Sequence, residues 1–252
     1  MNFKIKEIDN KSNKLDILHK DGFVHIKNFL TFQSFFINEW IIKCFNLIDD
    51  FTYPSNIDLQ DGLLRLSKVF EDKQKWDNFR KIYVGIFQRN MDIYNISSHP
   101  SIMNFLKSIG INKPYLSSDP LLMLNGGNFC NVLGSYTDSP LHQDWASMQS
   151  SANSVVLWVP LVDVDKHSTG SIKVWPGTQD KGLFQVKNGK WFAEITKNKN
   201  ELTKQKPLEV VANSGDCILF SSLLVHQSIT SKSGKKIPRL TLQLRYGDLD
   251  CK

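Results

Sequence analysis

The sequence places a histidine and an aspartate two residues apart and a second histidine far downstream. These are His142, Asp144 and His226. On a β-strand, residues two apart project from the same face, so the imidazole of His142 and the carboxylate of Asp144 can point into one cavity. A second imidazole from a distant strand would add a third ligand on the same side of a metal ion. The three residues therefore predict a metal site.

Two imidazoles and one carboxylate on one face of an octahedron are typical of non-haem Fe(II) oxygenases, in which the remaining positions stay open for reactants. The same donors also bind manganese, cobalt or zinc, so the ligand set alone does not identify the metal.

A polar stripe begins thirteen residues after His226. Its members are Arg239, Thr241, Gln243 and Arg245, with a leucine between each pair. This period of two predicts a strand with one polar and one apolar face. Because a buried guanidinium needs a partner, the polar face should line a wet cavity or meet an anion. Arg239 and the Thr241 hydroxyl suit a carboxylate and favour a dicarboxylate cosubstrate, with Arg245 as the rival cation.

Further short motifs surround these residues in a definite order. They are Asp21-Gly22-Phe23-Val24, His142-Gln143-Asp144, Trp158, Gly170-Ser171-Ile172, Pro176-Gly177-Thr178, Gly215-Asp216 with Phe220, His226-Gln227-Ser228 and Arg239-Leu240-Thr241. In this order and spacing the chain resembles the phytanoyl-CoA dioxygenase-like family of Fe(II)- and 2-oxoglutarate-dependent oxygenases. The likeness runs from about Asp21 to Tyr246.

The resemblance implies a role for each matching residue. His142, Asp144 and His226 would be the iron ligands, and Arg239 and Thr241 would hold the distal carboxylate of 2-oxoglutarate. The presence of Asp144 disfavours the halogenating variants, in which a small residue replaces the metal carboxylate.

Three other positions carry weaker implications. Trp158 would line the cosubstrate pocket, although its aliphatic neighbours suit a plain core residue equally well. Asn131 is a candidate cosubstrate contact. Gln179 stands where many relatives have a histidine, which leaves a contact around the metal or the substrate in doubt.

The implied reaction is hydroxylation of a C–H bond of a small molecule, with Fe(II), 2-oxoglutarate and O2 required and succinate and CO2 released. Two alternatives stay open: a jelly-roll metalloenzyme that does not use 2-oxoglutarate, such as an isomerase or a substrate-only dioxygenase, and a metal-retaining binding protein. Arg239 with Thr241 argues against the first, and the complete triad argues against the second. The sequence does not identify the substrate or the oligomeric state.

The elements that must position these residues are mainly β. After Pro120, short strands alternate with turn residues as far as Tyr246, which predicts a double-stranded β-helix, the cupin-like jelly roll. We expect a single domain over residues 1–252, with a helical N-terminal part at about 1–115 that braces a jelly-roll core at about 116–247. Within the first part we predict a strand over residues 23–29, a helix capped by Thr31, helical spacing over residues 76–87 and a helix from Pro100 to Gly110.

Composition agrees with a compact enzyme. The chain has 252 residues, 41% of them hydrophobic, which is enough for a sizeable core. Four widely separated cysteines indicate a reducing compartment, and residues 1–6 are too polar for a signal peptide. No apolar run approaches the ~20 residues of a membrane helix. We therefore expect a cytoplasmic protein with no membrane partner.

The net charge of +6 is spread along the chain and is densest in the lysines between residues 187 and 206. That segment lacks the aromatic series with which single-strand nucleic-acid binders stack bases. We interpret this segment as a solvated loop, predict no regular element over residues 184–206, and expect no nucleic-acid partner.

Overall fold

The computed structural model describes residues 3–5, 14–32, 62, 74, 90–125, 139–148, 150–188, 193–196, 202, 205–229, 231 and 239–251. The helices with described bounds are α1 (Lys14–Asp21), α2 (Met91–Ser97), α3 (Pro100–Ser108) and α4 (Asp144–Met148). The strands are β1 (Phe3–Ile5), β2 (Phe23–Ile26), β3 (Leu30–Phe32), β4 (Pro114–Leu116), β5 (Leu121–Asn125), β6 (Ser154–Pro160), β7 (Ser171–Val174), β8 (Val186–Asn188), β9 (Ala193–Ile195), β10 (Leu208–Val210), β11 (Cys217–Ser221), β12 (His226–Ile229) and β13 (Arg239–Asp248).

The largest sheet has six antiparallel strands in the order β2-β11-β6-β13-β4, with β5 also paired to β13. The long strand β13 pairs with β6 along one edge, and with β5 and then β4 along the other. Because both edges are occupied, the backbone of β13 is held over most of its length. The predicted polar stripe therefore lies on a fixed strand inside the molecule.

A three-stranded antiparallel sheet, in the order β10-β7-β12, faces the large one. Val156 and Trp158 of β6 pack with Ile172 and Val174 of β7 in one buried cluster between the sheets. This pairing of two antiparallel sheets matches the mainly β fold predicted from the sequence.

The other face of the large sheet is covered by helices. Leu240, Leu242 and Leu244 of β13 lie in a second buried cluster with Ile96 of α2 and Leu106 of α3. The leucines of the alternating stripe are thus in the core, while the polar residues between them face the opposite way. The predicted division of β13 into an apolar and a polar face is confirmed.

Gly22 connects α1 to β2 in a left-handed backbone conformation, with φ +80°. A Cβ atom at this position would also lie 2.7 Å from a methyl carbon of Leu224, which is too close for a normal contact. The side chain of Gln179 stabilises the same corner, since its amide nitrogen donates to the carbonyls of His19 at 2.8 Å and Lys20 at 3.3 Å. Gln179 therefore supports the end of α1.

The Gly215-Asp216 motif has a comparable structural task. The Asp216 carboxylate accepts hydrogen bonds from the backbone nitrogens of Asn28 at 2.8 Å and Asn213 at 3.1 Å, and it contacts His25 Nε2 at 2.9 Å. Burial acts to raise the pKa of Asp216, but these hydrogen bonds and His25 outweigh it, so the pKa lies below its ordinary value. The motif joins β2 to the turn before β11.

The N-terminal part differs from the sequence-based prediction in two places. The strand at Phe23 ends at Ile26, before the predicted boundary at residue 29. Thr31 lies in β3 and pairs with Lys4 of β1, so the prediction that it caps a helix is wrong. Pairing with a distant strand overrides the local capping preference at this position. The rest of that predicted helix, and the helical spacing over residues 76–87, lie outside the described residues.

Two further segments show how well local patterns work. The helix predicted from Pro100 is present as α3, with proline in its first turn and Gly110 at φ +88° just beyond its end. The segment interpreted as a patternless loop contains strands β8 and β9, which pair as a short antiparallel hairpin. Among the described helices, none is both long enough and apolar enough to cross a bilayer.

Candidate metal centre

His142 and His226 are neighbours through their backbones. His142 N donates to His226 O at 3.1 Å, and His226 N donates to His142 O at 3.0 Å. Two residues that exchange both bonds in this way stand directly opposite one another in an antiparallel ladder. Their ring centroids are 4.1 Å apart. Chain pairing thus brings together two imidazoles that are far apart in the sequence.

The segment around each histidine is anchored by apolar packing. Leu141 and Val225, the residues that precede the two histidines, lie in one buried cluster with Trp175. Thr178, from the Pro-Gly-Thr motif, accepts a hydrogen bond from Val225 N at 2.9 Å and donates to Trp175 O at 2.6 Å. The motif therefore supports the start of β12, where His226 lies.

Both imidazoles are oriented by backbone carbonyls. His142 Nδ1 lies 2.7 Å from Pro140 O, and His226 Nδ1 lies 3.0 Å from Leu224 O. A carbonyl can only accept, so Nδ1 carries the proton in each ring and Nε2 offers a lone pair. Burial, followed by the charge of His226, lowers the pKa of His142 to about 3, and burial lowers the pKa of His226. Both rings are therefore neutral near pH 7.

Asp144 reaches the histidines by a route that the sequence analysis did not predict. His142 forms isolated bridges with His226 and Glu194, and Asp144 already begins the short helix α4. The prediction that His142 and Asp144 share a face of a regular strand is therefore wrong, although the two side chains do converge. The backbone turns at Gln143.

Gln143 holds this turn and is fully buried. Its amide nitrogen donates to Gly182 O at 2.9 Å and Leu223 O at 2.6 Å, and its Oε1 accepts from Phe184 N at 2.9 Å. A glutamine with three satisfied hydrogen bonds to three backbone groups is costly to displace. The middle residue of the His-Gln-Asp motif thus points away from the centre, as predicted, and its amide anchors the turn.

The three candidate ligands form one compact buried group. Asp144 Oδ1 lies 3.9 Å from His142 Nε2, and Asp144 Oδ2 lies 3.6 Å from His226 Nε2. One potential ligand atom from each of the three residues lies within 4.8 Å of the others, and all three side chains are buried. Burial acts to raise the pKa of Asp144, but Arg245 and the two histidines outweigh it and hold the pKa below its ordinary value. The group combines two neutral imidazoles with an ionised carboxylate and could hold a divalent metal ion.

A cavity between the two sheets opens onto this group. Besides the three candidate ligands, its walls include Met123 and Asn125 of β5, Trp158 of β6, and Arg239, Gln243 and Arg245 of β13. The structure therefore brings the candidate metal ligands and the predicted cosubstrate residues Arg239 and Trp158 to one place. Trp158 also belongs to the apolar cluster between the sheets, so both interpretations of this residue apply together.

Arg239 is almost completely buried, with 2% of its surface exposed. Its Nη1 donates to Ser171 O at 3.0 Å, its Nη2 donates to the Ser228 hydroxyl, and its guanidinium carbon lies 5.7 Å from the centre of the Trp158 ring. Ser228 follows His226 by two residues on β12. The guanidinium is thus oriented beside the histidine pair.

Thr241 is fully buried between Arg239 and Gln243 on β13. Its hydroxyl has no hydrogen-bond partner among the described residues. The described residues that line the cavity do not include Thr241, although Arg239 and Gln243, two positions away on either side, do line it. Asn131, the other predicted cosubstrate contact, lies outside the described residues.

Sequence reasoning missed what Arg245 contacts. Its Nη2 lies 3.0 Å from Asp144 Oδ1 and 3.0 Å from Gln243 Oε1. The alternating stripe marks Arg245 and Gln243 as polar residues on one face, but no spacing signal links either of them to Asp144.

Solved structures of similar fold include several proteins that are described as non-haem enzymes. The non-haem α-ketoglutarate-dependent epimerase SnoN from nogalamycin biosynthesis aligns over 94% of this chain and 82% of its own, with 16% identity and a TM-score of 0.60. EctD from S. alaskensis with 2-oxoglutarate and 5-hydroxyectoine aligns over 99% and 80%, with 14% identity and a TM-score of 0.62. The α-ketoglutarate-dependent carbocyclase SnoK from nogalamycin biosynthesis aligns over 97% and 87%, with 14% identity and a TM-score of 0.59. At these identities the likeness establishes the shared jelly-roll fold.

Sequence comparison identifies the family. Curated protein sequences give no match to this chain. The profile of the phytanoyl-CoA dioxygenase (PhyH) family matches residues 18–240, which include the two histidines, the aspartate and Arg239. The chain belongs to the phytanoyl-CoA dioxygenase family.

Proposed function

We propose that this protein is an Fe(II)- and 2-oxoglutarate-dependent oxygenase that hydroxylates a C–H bond of a small molecule and releases succinate and CO2. The observation that carries the proposal is that one cavity is lined by both the His142–Asp144–His226 group and Arg239. Membership of the phytanoyl-CoA dioxygenase family supports it.

The metal part of the proposal rests on the chemistry of the donor groups. His142, Asp144 and His226 would hold Fe(II) through two Nε2 atoms and one carboxylate oxygen. The Pro140 and Leu224 carbonyls fix the ring tautomers that this role requires. Because the same donors also bind other divalent ions, Co(II) can serve as a probe of the site.

The cosubstrate part rests on the polar face of β13. Arg239 would bind the distal carboxylate of 2-oxoglutarate, and the Thr241 hydroxyl, which lacks a partner among the described residues, would donate a further hydrogen bond. Ser171 and Ser228 already hold the Arg239 guanidinium, so little reorganisation is needed when the carboxylate arrives. Trp158 would form a wall of the pocket, and we keep Asn131 as a further proposed contact.

The bound metal with 2-oxoglutarate and O2 would supply the oxidising chemistry. The residues of the chain would bind and orient the reactants, and the sheets on either side of the cavity would keep bulk water away. We propose a small molecule as substrate because the walls described above enclose the site between two sheets. We further propose that residues 1–252 form one domain, since the family match crosses from the N-terminal part into the jelly roll.

The reaction type is the most specific part of the proposal. The similar structures carry the names of an epimerase and a carbocyclase as well as that of EctD, which was solved with 5-hydroxyectoine. Hydroxylation adds one oxygen atom to the substrate, epimerisation leaves its mass unchanged, and ring closure by oxidation removes two hydrogen atoms. The mass of the product therefore separates the three outcomes.

The decisive experiment measures succinate formed from 2-oxoglutarate by the purified protein with Fe(II) and O2. We expect slow oxygen-dependent turnover without substrate and faster turnover with compounds found by screening. His142→Ala, with its fold checked by circular dichroism, should give no succinate. Oxygen consumption that does not depend on 2-oxoglutarate would instead favour the metalloenzyme without an oxo acid, and metal binding without any turnover would favour the binding protein.

A further inference from the structure

Arg245 contacts the carboxylate of the candidate metal centre directly. Its Nη2 donates to Asp144 Oδ1 at 3.0 Å, and the two side chains are 11% and 3% exposed. A charge-assisted hydrogen bond at this burial is strong and oriented. The second oxygen of the same carboxylate, Oδ2, is the one that lies 3.6 Å from His226 Nε2. The two oxygens of Asp144 therefore have different neighbours.

A second residue of β13 holds the guanidinium in this position. Gln243 Oε1 accepts from Arg245 Nη2 at 3.0 Å, and because a guanidinium can only donate, the orientation of the Gln243 amide follows. Gln243 pairs with Leu121 of β5 on one edge of the strand and with Trp158 of β6 on the other. A strand paired on both edges gives little freedom to the residues it carries. The chain of contacts from Gln243 through Arg245 to Asp144 thus starts from a rigid part of the sheet.

We propose that Arg245 is a positioning residue that engages Asp144 Oδ1 in a hydrogen bond, so that the carboxylate would bind a metal ion through Oδ2 alone. This inference rests on the proposed function, because it assumes that Asp144 is a metal ligand. A carboxylate that binds through one oxygen occupies one coordination position, whereas one that binds through both occupies two. An oxygenase of this type needs its remaining positions open. Arg245 would therefore keep positions free for the oxo acid and O2 without touching either.

The donor arrangement explains why an arginine serves here. Both hydrogens of Nη2 are used, one by Asp144 and one by Gln243, so a single nitrogen links the sheet to the metal carboxylate. Arg245 Nε is buried and has no hydrogen-bond partner among the described residues. A lysine could supply the charge and several donors, but it lacks the planar geometry that fixes the direction of each hydrogen bond. Lysine should therefore replace arginine only in part.

The test titrates Co(II) into the full-length protein and follows both the affinity and the visible spectrum, which responds to coordination number. For Arg245→Met we expect a loss of about 10–100-fold in Co(II) affinity, the usual range for residues that orient a metal ligand. We also expect a changed Co(II) spectrum, because the freed carboxylate can bind through both oxygens. Arg245→Lys should recover part of the affinity. The matched control is Arg239→Met, the same substitution on the same strand face, which should leave Co(II) affinity and spectrum as in the wild type.

Removal of Arg245 leaves a buried carboxylate without its cation, which is destabilising, so a second variant is needed in case Arg245→Met does not fold. Gln243→Leu keeps both charges and removes only the acceptor that holds the guanidinium, and it should give a smaller loss and a spectral change of the same kind. Folding of each variant is checked by thermal unfolding without metal. Folded Arg245→Met or Gln243→Leu protein with the wild-type spectrum would overturn the inference, even if the Co(II) affinity fell, because a lower affinity by itself does not report how the carboxylate binds the metal.

Failure of this inference differs from failure of the proposed function. If wild-type protein does not bind Co(II), or if His142→Ala binds it equally well, then the metal centre itself is wrong. If binding requires His142 but folded Arg245→Met or Gln243→Leu protein keeps the wild-type spectrum, then only the positioning role is wrong.

Discussion

The two ends of the polar face of β13 carry the same side chain in different surroundings. At one end, Arg239 donates to the carbonyl of Ser171 and the hydroxyl of Ser228. At the other end, Arg245 donates to the carboxylate of Asp144. These two bonds of Arg239 involve neutral oxygen atoms, whereas the bond from Arg245 to Asp144 joins opposite charges. These surroundings fit the two proposed roles, in which Arg239 meets an incoming anion and Arg245 holds a metal ligand of the protein.

The difference arises from the elements that face the strand. Arg239 lies against β7 and β12 of the smaller sheet, where backbone and serine oxygens are available. Arg245 lies against the start of α4, where the chain turns after His142 and presents Asp144. The sequence alternation on β13 is identical at both ends, so the partner segments decide what each arginine does.

The largest effect is expected from loss of the candidate metal centre, which lies in the same cavity as both arginines. In His142→Ala the centre loses one of two neutral imidazoles, and Co(II) binding should disappear in isothermal titration calorimetry. His19→Ala, which alters an exposed histidine on α1, is the matched control and should bind Co(II) as the wild type does. Retained Co(II) binding in His142→Ala would show that His142 is not needed to bind the metal, and the two arginines could then not be compared around this metal centre.

The next effect distinguishes the proposed role of Arg239 from that of Arg245. Arg239→Met should weaken 2-oxoglutarate binding about 100-fold, because losing two charge-assisted hydrogen bonds costs about 3 kcal/mol. The measurement is a titration of 2-oxoglutarate into Co(II)-loaded protein, read from the visible spectrum. Metal affinity should stay unchanged, the reverse of the pattern expected for Arg245→Met. Unaltered 2-oxoglutarate affinity would assign the carboxylate to another residue and leave Arg239 with a structural role.

Sequence patterns predicted the parts of the site that depend on local periodicity. The alternation from Arg239 to Arg245 follows directly from the pleat of a strand, and the leucines between these residues do lie in the core. Proline and glycine marked both ends of α3 because their backbone preferences are intrinsic. The grouping of His142, Asp144 and His226 was predicted from an expected shared strand face and from motif spacing that resembles that of a known family.

The predictions that were wrong, and the contact that was missed, depend on contacts between distant segments. Thr31 has a good capping side chain, but its backbone pairs with Lys4 and becomes a strand. Asp144 reaches the centre from a helix because buried hydrogen bonds to Gln143 turn the backbone before it. The bond from Arg245 to Asp144 joins positions 101 residues apart, and no local pattern records it. Periodicity predicts the face of an element, while the partner of that face comes from the packing.

The smallest expected effect tests whether the proposed carboxylate site extends along β13 from Arg239 to Thr241. Thr241→Val removes one hydroxyl and keeps the shape of the side chain, so 2-oxoglutarate affinity should fall about fivefold, equivalent to about 1 kcal/mol for one hydrogen bond. Because this buried hydroxyl has no partner among the described residues, the free energy of unfolding in urea should stay the same or rise slightly. A loss of stability with unchanged 2-oxoglutarate affinity would mean that the hydroxyl bonds within the protein. The carboxylate site would then end at Arg239, and the two ends of the polar face would be separated by a residue that serves only the fold.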